Sequence, residues 1–349
     1  MLTKTKLTEN LKNVLTAHRD VNVVADMPYK KEYAVNSFFA IGHFSAEGHL
    51  LNYLYHVMTC EFPGQAPYLT YCFSVTDETT NDYYQYSHAY SFDEIKISED
   101  KFFISTPKGS MSGTLDDIYL KCEIENAALN LHLTAVGYPL YNAETGRFVL
   151  GGMEMYEYSI PTLLSNGSIR VGEKIYEIKD GISWYDRQWE LKLPKAPKVV
   201  IDAASKIMAS RMNGDAFPTW GWMDINLDNG DVISTWFAKE NGGENCWATL
   251  MHPDGSHKMV KVKPMISTAK DYWKSNASGH SYPMTYKIII PELKADLTVS
   301  CAVKDQELFF PERSDLNHYE GAATVSGTYL DEKTTGYTYV ELVGDWNQK

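Results

Sequence analysis

The residue types best suited to chemistry cluster near the middle of the chain, in the stretch from Gly181 to Glu190. In order, that stretch contains Trp184, Tyr185, Asp186, Arg187, Gln188 and Trp189. If the stretch is a strand, Trp184, Asp186 and Gln188 share one face, and Tyr185, Arg187 and Trp189 share the other. Neither face is purely apolar. The pattern favours either a ligand chamber with a few placed polar groups or a domain junction in which Asp186 and Arg187 form ion pairs.

A second cluster joins an acid to two indoles. Trp220, Trp222 and Asp224 are spaced by two residues, so they share one face of a strand. If that face is buried, loss of hydration raises the pKa of the carboxyl and favours its neutral, proton-donating form. An acid beside indoles suits carbocation chemistry, because it protonates a C=C bond and the negative ring faces stabilise the cation. The alternative is an acid near the strand end that is solvated or paired with Arg187 or Lys239.

The C-terminal run from Gly336 to Trp346 alternates in the manner of a closing barrel strand. Tyr339 and Glu341 fall on the same face of this predicted strand. We expect Tyr339 to contact a bound substrate, and Glu341 to serve a structural role as a buried, hydrogen-bonded carboxylate.

The elements that must position these residues are strands. Short β-rich runs begin at Tyr33 and continue to Val343, and turn signals such as Pro107-Lys-Gly109 separate them. Many short strands predict an all-β sandwich or barrel rather than alternating strands and helices. Asp228-Asn-Gly230 predicts a type I′ hairpin turn.

Helical spacing interrupts this β pattern at two places. One predicted helix runs roughly from Thr8 to Ala17, and a second falls within Val199 to Met212, where apolar residues recur at helical spacing. A chain of 349 residues also exceeds the usual size of one core. The predicted order is a helical lead-in over residues 1–30, a β unit over 31–192, a linker helix over 193–215 and a second β unit over 216–349. Each β unit is long enough for a barrel of about eight to ten strands, which can enclose one small ligand.

Composition and motifs exclude several classes of function. The net charge of −13 argues against nucleic-acid or anionic-membrane partners, and no apolar run is long enough to span a bilayer. The five cysteines lack CxxC spacing and the N-terminus lacks an apolar signal core, so we expect reduced thiols and a cytoplasmic protein. Phosphate-binding glycine loops and a GxSxG nucleophile motif are absent, and His43, His49 and His56 do not have metal-site spacing. We expect no metal and no organic cofactor.

Several segments resemble the two-domain lipocalin-like hydratase family, which includes carotenoid 1,2-hydratase, kievitone hydratase and the fungal lipocalin-like Diels–Alderases. These segments are Tyr156-Glu-Tyr-Ser-Ile-Pro161, Trp184-Tyr-Asp-Arg-Gln-Trp189, Trp220-Gly-Trp222, Gln306-Glu307, Tyr319-Glu-Gly321 and Gly336-Tyr-Thr-Tyr-Val-Glu-Leu-Val-Gly344. The resemblance covers roughly residues 35–345. It implies two lipocalin-like β-barrel or sandwich domains packed side by side, with a ligand chamber in or between them.

The resemblance also implies roles for particular residues. The hydratase branch has a motif similar to Asp-His-Gln-Trp, in which this chain places Arg187 at the histidine position and keeps Trp189. That difference weakens the case for carotenoid hydration itself. Asp224, preceded by Trp222, is similar in placement to the hydratase acid.

We therefore predict an enzyme that binds a hydrophobic, unsaturated small molecule of isoprenoid or polyketide origin and catalyses acid-initiated hydration or cyclisation. The expected catalytic residues are Asp224 as general acid, Trp189 and Arg187. The expected substrate-binding residues are Asp186, Gln188, Trp184, Tyr185, Trp220, Trp222 and Tyr339. Two alternatives stay open: a cofactor-free pericyclase that acts by preorganising its substrate, with Gln188 or Arg187 polarising a carbonyl, and a non-catalytic carrier of an apolar metabolite.

Overall fold

The structure is a computed structural model that describes most of the chain. The described residues are 5–11, 18–62, 65–192, 219–240 and 243–347. The predicted linker helix of residues 193–215 lies outside them, as do residues 12–17 of the predicted N-terminal helix. Within the described residues the fold is nearly all-β, as predicted, with one short α-helix, α1 (Leu7–Leu11), and two large antiparallel sheets.

The first sheet, called here the N-terminal sheet, has thirteen strands among the described residues. They are β1 (Tyr33–Ala46), β2 (His49–Cys60), β3 (Tyr68–Asp77), β4 (Asp82–Ser91), β5 (Lys96–Ile97), β6 (Phe102–Ser105), β7 (Gly109–Gly113), β8 (Asp117–Glu123), β9 (Ala127–Ala135), β10 (Leu140–Tyr141), β11 (Arg147–Leu150), β12 (Met153–Val171) and β13 (Lys174–Lys192). Their order in the sheet is β4-β3-β2-β1-β13-β12-β9-β8-β7-β6-β5, and β10 and β11 also pair with β12.

The second sheet, the C-terminal sheet, has ten strands in the described part of the chain. They are β14 (Trp220–Leu227), β15 (Val232–Glu240), β16 (Gly243–Met251), β17 (His257–Lys261), β18 (Lys270–Lys274), β19 (Ser281–Ile290), β20 (Ala295–Cys301), β21 (Glu307–Leu308), β22 (His318–Tyr329) and β23 (Glu332–Val343). Their order is β17-β16-β15-β14-β23-β22-β20-β19-β18, and β21 pairs with β22. Short 3₁₀ helices span Ile266–Thr268, Pro291–Leu293 and Ser314–Leu316.

Both sheets curl around their own cores. In the N-terminal sheet, Tyr185 of β13 and Phe102 of β6 are five strand spacings apart, or about 24 Å if the sheet were flat. Their ring centroids lie only 5.8 Å apart. In the C-terminal sheet, the Tyr286 hydroxyl of β19 donates to the Met223 sulfur of β14 at 3.4 Å, across four strand spacings. The concave face of each sheet therefore encloses an apolar core.

The outer faces of the two sheets pack against each other. Phe39 of β1 meets Trp222 of β14 edge to face, with ring centroids 5.3 Å apart. Buried hydrogen bonds cross the same contact: the Thr76 hydroxyl donates to the Gln306 side-chain oxygen at 2.7 Å. Because the strands at this contact are buried on both faces, their sequences carry apolar residues at successive positions rather than a simple alternation.

Two smaller predictions are also decided by the structure. The prediction of a type I′ turn at Asp228-Asn-Gly230 is wrong: Gly230 has a φ of 90°, but Asn229 is not among the residues with positive φ. A type I′ turn requires positive φ at both central residues, whereas one left-handed glycine is enough for a bulged hairpin. All five cysteines lie within the described residues, and no disulfide joins them there. Among the described residues, no helix has the length and apolarity needed to cross a membrane.

Candidate functional site

A cavity of about 370 Å³ lies between the outer faces of the two sheets. Strands β1, β2, β3, β12 and β13 supply one wall, and β14, β15, β22 and β23 supply the opposite wall. The volume falls within the range of small-molecule sites. Three indoles line it, Trp220, Trp222 and Trp236, with the rings of Trp220 and Trp236 stacked at 5.9 Å.

The structure brings four of the predicted site residues to this cavity. Asp186, Gln188, Trp220 and Trp222 all contribute to its lining. Trp184 lies just behind them: its indole N–H donates to the Asp186 carboxylate at 2.6 Å, and its ring centroid is 6.0 Å from that of Trp222. The predicted face of Trp184, Asp186 and Gln188 therefore points towards the junction between the sheets.

The other face of β13 points into the core of the N-terminal sheet. Tyr185 and Trp189 belong to that core, and the ring of Trp189 stacks on Tyr156 at 5.7 Å. Arg187 is fully buried on the same face, and none of these three residues lines the cavity. The alternation predicted from the sequence is present, and only one of its two faces reaches the ligand chamber.

Arg187 is held by backbone oxygens. Its Nε donates to the Asp26 carbonyl at 3.0 Å and its Nη2 donates to the Pro28 carbonyl at 2.8 Å. Nη2 also donates to the Asn36 side-chain oxygen at 2.8 Å, and the guanidinium lies 4.2 Å from the centroid of the Phe38 ring. These contacts tie the segment before β1 to the inner surface of the sheet, since each buried carbonyl gains a charged donor.

Asp224 is fully buried in the middle of β14, and not near a strand end. One oxygen accepts the backbone N–H of Tyr339 at 2.5 Å, and the other accepts the Asn226 amide at 2.9 Å. His43 Nε2 lies 4.0 Å from the second oxygen. Burial raises the pKa of Asp224 well above its usual range, as predicted for a buried acid beside indoles. Asp224 and Tyr339 are not part of the cavity lining.

Glu157 of β12 and Asp186 of β13 line the cavity on the N-terminal wall, together with Glu190 of β13. In the strand register Glu157 faces Gln188 and Ser159 faces Asp186, so the two acids are diagonal neighbours on one face. Burial raises the pKa of Asp186 to about 7, although hydrogen bonds from Ser159 and Trp184 stabilise its carboxylate. Burial and the neighbouring Asp186 raise the pKa of Glu157 well above its usual range. The pair therefore keeps protons at pH values at which exposed carboxyls are already ionised.

The C-terminal wall carries a second group of acids. Glu341 of β23 and His318 of β22 line the cavity, and Glu320 of β22 is buried behind them. Glu320 and Glu341 are direct cross-strand partners, and His318 lies two residues before Glu320 on the same face. The interpretation of Glu341 as a structural carboxylate is thus incomplete, because its side chain reaches the cavity.

The sequence analysis missed several residues of this site, among them Glu157, Trp236, His318 and Glu320. The available signal for Glu157 is an acid within an apolar alternation: Met153, Met155 and Glu157 share one face of β12, and all three line the cavity. An acid on the apolar face of a long strand is unusual unless its environment uses it. The contact between Glu157 and Asp186 depends on strand pairing, which a single sequence does not show.

The fold and the site together define a protein of two curled β-sheets with an acidic, indole-lined cavity between them. The family model described as AttH-like matches residues 65–345, and the chain belongs to this family. The resemblance to lipocalin-like hydratases is confirmed by the relatives. The dehydratase asqC of Emericella nidulans is 23% identical over 244 residues, and kievitone hydratase of Fusarium solani subsp. phaseoli is 24% identical over 225 residues.

Those alignments cover 66% and 63% of this chain, but only 63% and 57% of the relatives, so the chain spans about three fifths of their length. Solved structures match more completely. Kievitone hydratase from Nectria haematococca superposes with a TM-score of 0.76 at 19% identity, covering 94% of both chains. A protein assigned as AttH from Nitrosomonas europaea gives a TM-score of 0.74 at 17% identity, covering 93% of this chain and 97% of the other. The fold of this chain is therefore that of kievitone hydratase.

Proposed function

We propose that this protein is a hydro-lyase, which adds water to a C=C bond, or removes it, in a hydrophobic small molecule bound between the two sheets. The observation that carries the proposal is the buried pair of Glu157 and Asp186 on the cavity wall, opposite indoles. Two carboxyls whose environments set their pKa values apart provide an acid and a base at one site. The names of the relatives, a dehydratase and a hydratase, support the same reaction class.

The two acids have different surroundings, which suggests different roles. Glu157 Oε2 is buried and has no hydrogen-bond partner among the described residues, so Glu157 is the better proton donor. Asp186 keeps donors from Trp184 and Ser159 that stabilise its ionised form, so it is the better base. Because the two carboxyls interact, their protonation steps belong to the pair as a whole.

In the hydration direction, the π electrons of the C=C bond take the proton of Glu157, which leaves a cation on the neighbouring carbon. The faces of Trp220 and Trp222 stabilise that cation. Water adds to it, and the surplus proton of the water passes to the Asp186 carboxylate and from there back to Glu157. The net change is the addition of one water with no oxidation or reduction, and dehydration is the same sequence reversed.

The proposal therefore moves the acid role from Asp224 to Glu157. The Asp224 carboxyl accepts hydrogen bonds from Asn226, Thr338 and Tyr339 and does not line the cavity, whereas Glu157 lines it and has an oxygen without a hydrogen-bond partner among the described residues. We infer that Asp224 positions β14 and β23 and thereby the indoles. Arg187, on the far side of β13, positions that strand in the same way.

Labelled solvent tests this function. The purified chain is incubated in D₂O and in H₂¹⁸O with kievitone, the compound after which two relatives are named. A panel of prenylated and polyketide-derived polyenes is tested in the same way. We expect a product that carries a carbon-bound deuteron and solvent oxygen, or, for alcohols, loss of the hydroxyl. Glu157→Gln and Asp186→Asn should each lower turnover by about 10²–10⁴-fold, and Asp224→Asn should retain measurable turnover.

The other outcomes are equally informative. An isomeric product without solvent label would indicate a pericyclase instead of a hydro-lyase. Ligands recovered unchanged from every incubation would favour a carrier. Loss of labelling in Asp224→Asn with full labelling in Glu157→Gln would return the acid role to Asp224.

A further inference from the structure

The C-terminal wall of the cavity contains a close pair of like charges that the proposed reaction does not use. Glu320 and Glu341 are directly opposite each other on the neighbouring strands β22 and β23, with their side chains on the same face. Two carboxylates in this arrangement repel each other and destabilise a sheet. A counter-charge or a shared proton is needed between them.

The carboxyl of Glu320 has few polar contacts that could offset its burial. It is fully buried, and within the described residues neither of its carboxyl oxygens has a hydrogen-bond partner. The His318 imidazole is close by, with its Nε2 3.4 Å from one Glu320 oxygen. Buried polar atoms without partners are rare in folded proteins and point to a bound ion or a functional role.

The donor atoms converge on one point. One ligand atom each from His318, Glu320 and Glu341 lies within 4.8 Å of the other two. Ligands bound to Zn²⁺ at about 2.0–2.2 Å lie about 3.4 Å from one another, so small side-chain movements bring all three into contact with one ion. The sequence does not show the ligand spacing of known metal-binding motifs, because these ligands come from two strands that meet only in the folded protein.

We propose that His318, Glu320 and Glu341 bind one divalent transition-metal ion. An imidazole with two carboxylates suits Zn²⁺ or Mn²⁺, and the two carboxylates offset the charge of the ion. His318 and Glu341 both line the cavity, so the remaining coordination positions face the chamber and can hold water or an oxygen of a ligand. The ion binds on the wall opposite the Glu157–Asp186 pair, and its binding does not depend on the identity of the reaction.

Binding to the full chain tests the proposal. The protein is treated with a chelator, transferred to metal-free buffer and titrated with Zn²⁺ and Mn²⁺ in calorimetry, and bound metal is counted by elemental analysis. We expect one ion per chain, and an affinity at least tenfold lower in Glu320→Gln and in His318→Asn. His252→Asn is the matched control, because His252 contacts Asp231 at 2.8 Å elsewhere in the same sheet and should not change the affinity.

Three results would overturn the site. Binding of neither ion would leave a shared proton between Glu320 and Glu341 as the counter-charge. Equal binding in His318→Asn would place the ion elsewhere, and this test remains valid if Glu320→Gln fails to fold, because His318 is partly exposed to the cavity. A loss of metal affinity in His252→Asn as large as that in His318→Asn would show a general effect of the substitutions on the sheet.

Discussion

Replacing Asp186 by Asn should lower activity and raise stability at the same time. Asp186 is only 5% exposed, and burial raises its pKa from 3.8 to about 7. A carboxyl whose pKa is raised in the folded state contributes stability that is fully present below its unfolded pKa and is lost as the pH rises through the folded value. The wild-type protein should therefore lose stability relative to Asp186→Asn between about pH 4 and about pH 7.

The magnitude follows from the same pKa values. At about 1.4 kcal/mol per pKa unit, the rise from 3.8 to about 7 corresponds to a gain of up to about 4 kcal/mol for the variant above about pH 8. The gain approaches zero near pH 4, where both proteins are neutral at this position. Because Glu157 shares protons with Asp186, part of the effect should move to Glu157→Gln, and the double variant measures the coupling.

Chemical denaturation across this pH range provides the assay. Asp117→Asn is a control of opposite sign, since the Lys6 ion pair and the His132 hydrogen bond lower the pKa of Asp117. Asp117 contributes stability above its unfolded pKa, so its replacement should be destabilising at neutral pH. A difference between wild type and Asp186→Asn that stays constant from about pH 4 to about pH 8 would refute the raised pKa of Asp186.

Four further results are expected. The turnover rate should rise with pH through about 7, as Asp186 ionises, in a pH–rate profile measured with saturating substrate. Trp222→Leu should lower turnover about 30-fold by removing about 2 kcal/mol of cation–π stabilisation, whereas Trp222→Phe, which keeps a ring, should lose less in the same assay. Arg187→Lys should lower the free energy of unfolding by about 3 kcal/mol or more, since several buried oxygens lose a charged donor. Gly42→Ala should cost about 1–3 kcal/mol in denaturant melts, because its Cβ would lie 2.3 Å from the Tyr53 ring.

Local pattern was enough to predict the strands and the faces of their side chains. The sequence separates Asp186 from Arg187 correctly and places Trp220, Trp222 and Asp224 on one face, because a strand has a period of two. It does not show which face meets a ligand. On β13 both faces are buried and both carry polar residues. Arg187 is buried against backbone oxygens and Asp186 is buried beside a cavity, and the sequence pattern does not distinguish these two environments.

The parts of the site that escaped prediction depend on distant pairing. Glu157 meets Asp186 only because β12 pairs with β13 in one register, and Glu320 meets Glu341 only because β22 pairs with β23. A shift of one residue would turn each acid to the opposite face. The register is fixed by the whole set of buried side chains, which is why no short motif reports it.

The position of the cavity explains why the proposed chemistry requires both sheets. The concave faces, where a single barrel would bind its ligand, are occupied by apolar cores that contain residues such as Tyr53 and Met223. The cavity lies instead between the outer faces, where the Glu157–Asp186 pair stands on one sheet and Trp220 and Trp222 stand on the other. In the proposed reaction, proton transfer and cation stabilisation act on the same substrate carbons, so we expect the spacing between the sheets to control its rate. We therefore expect contacts that set this spacing, such as the hydrogen bond from Thr76 to Gln306, to affect the proposed catalysis even though they lie outside the cavity.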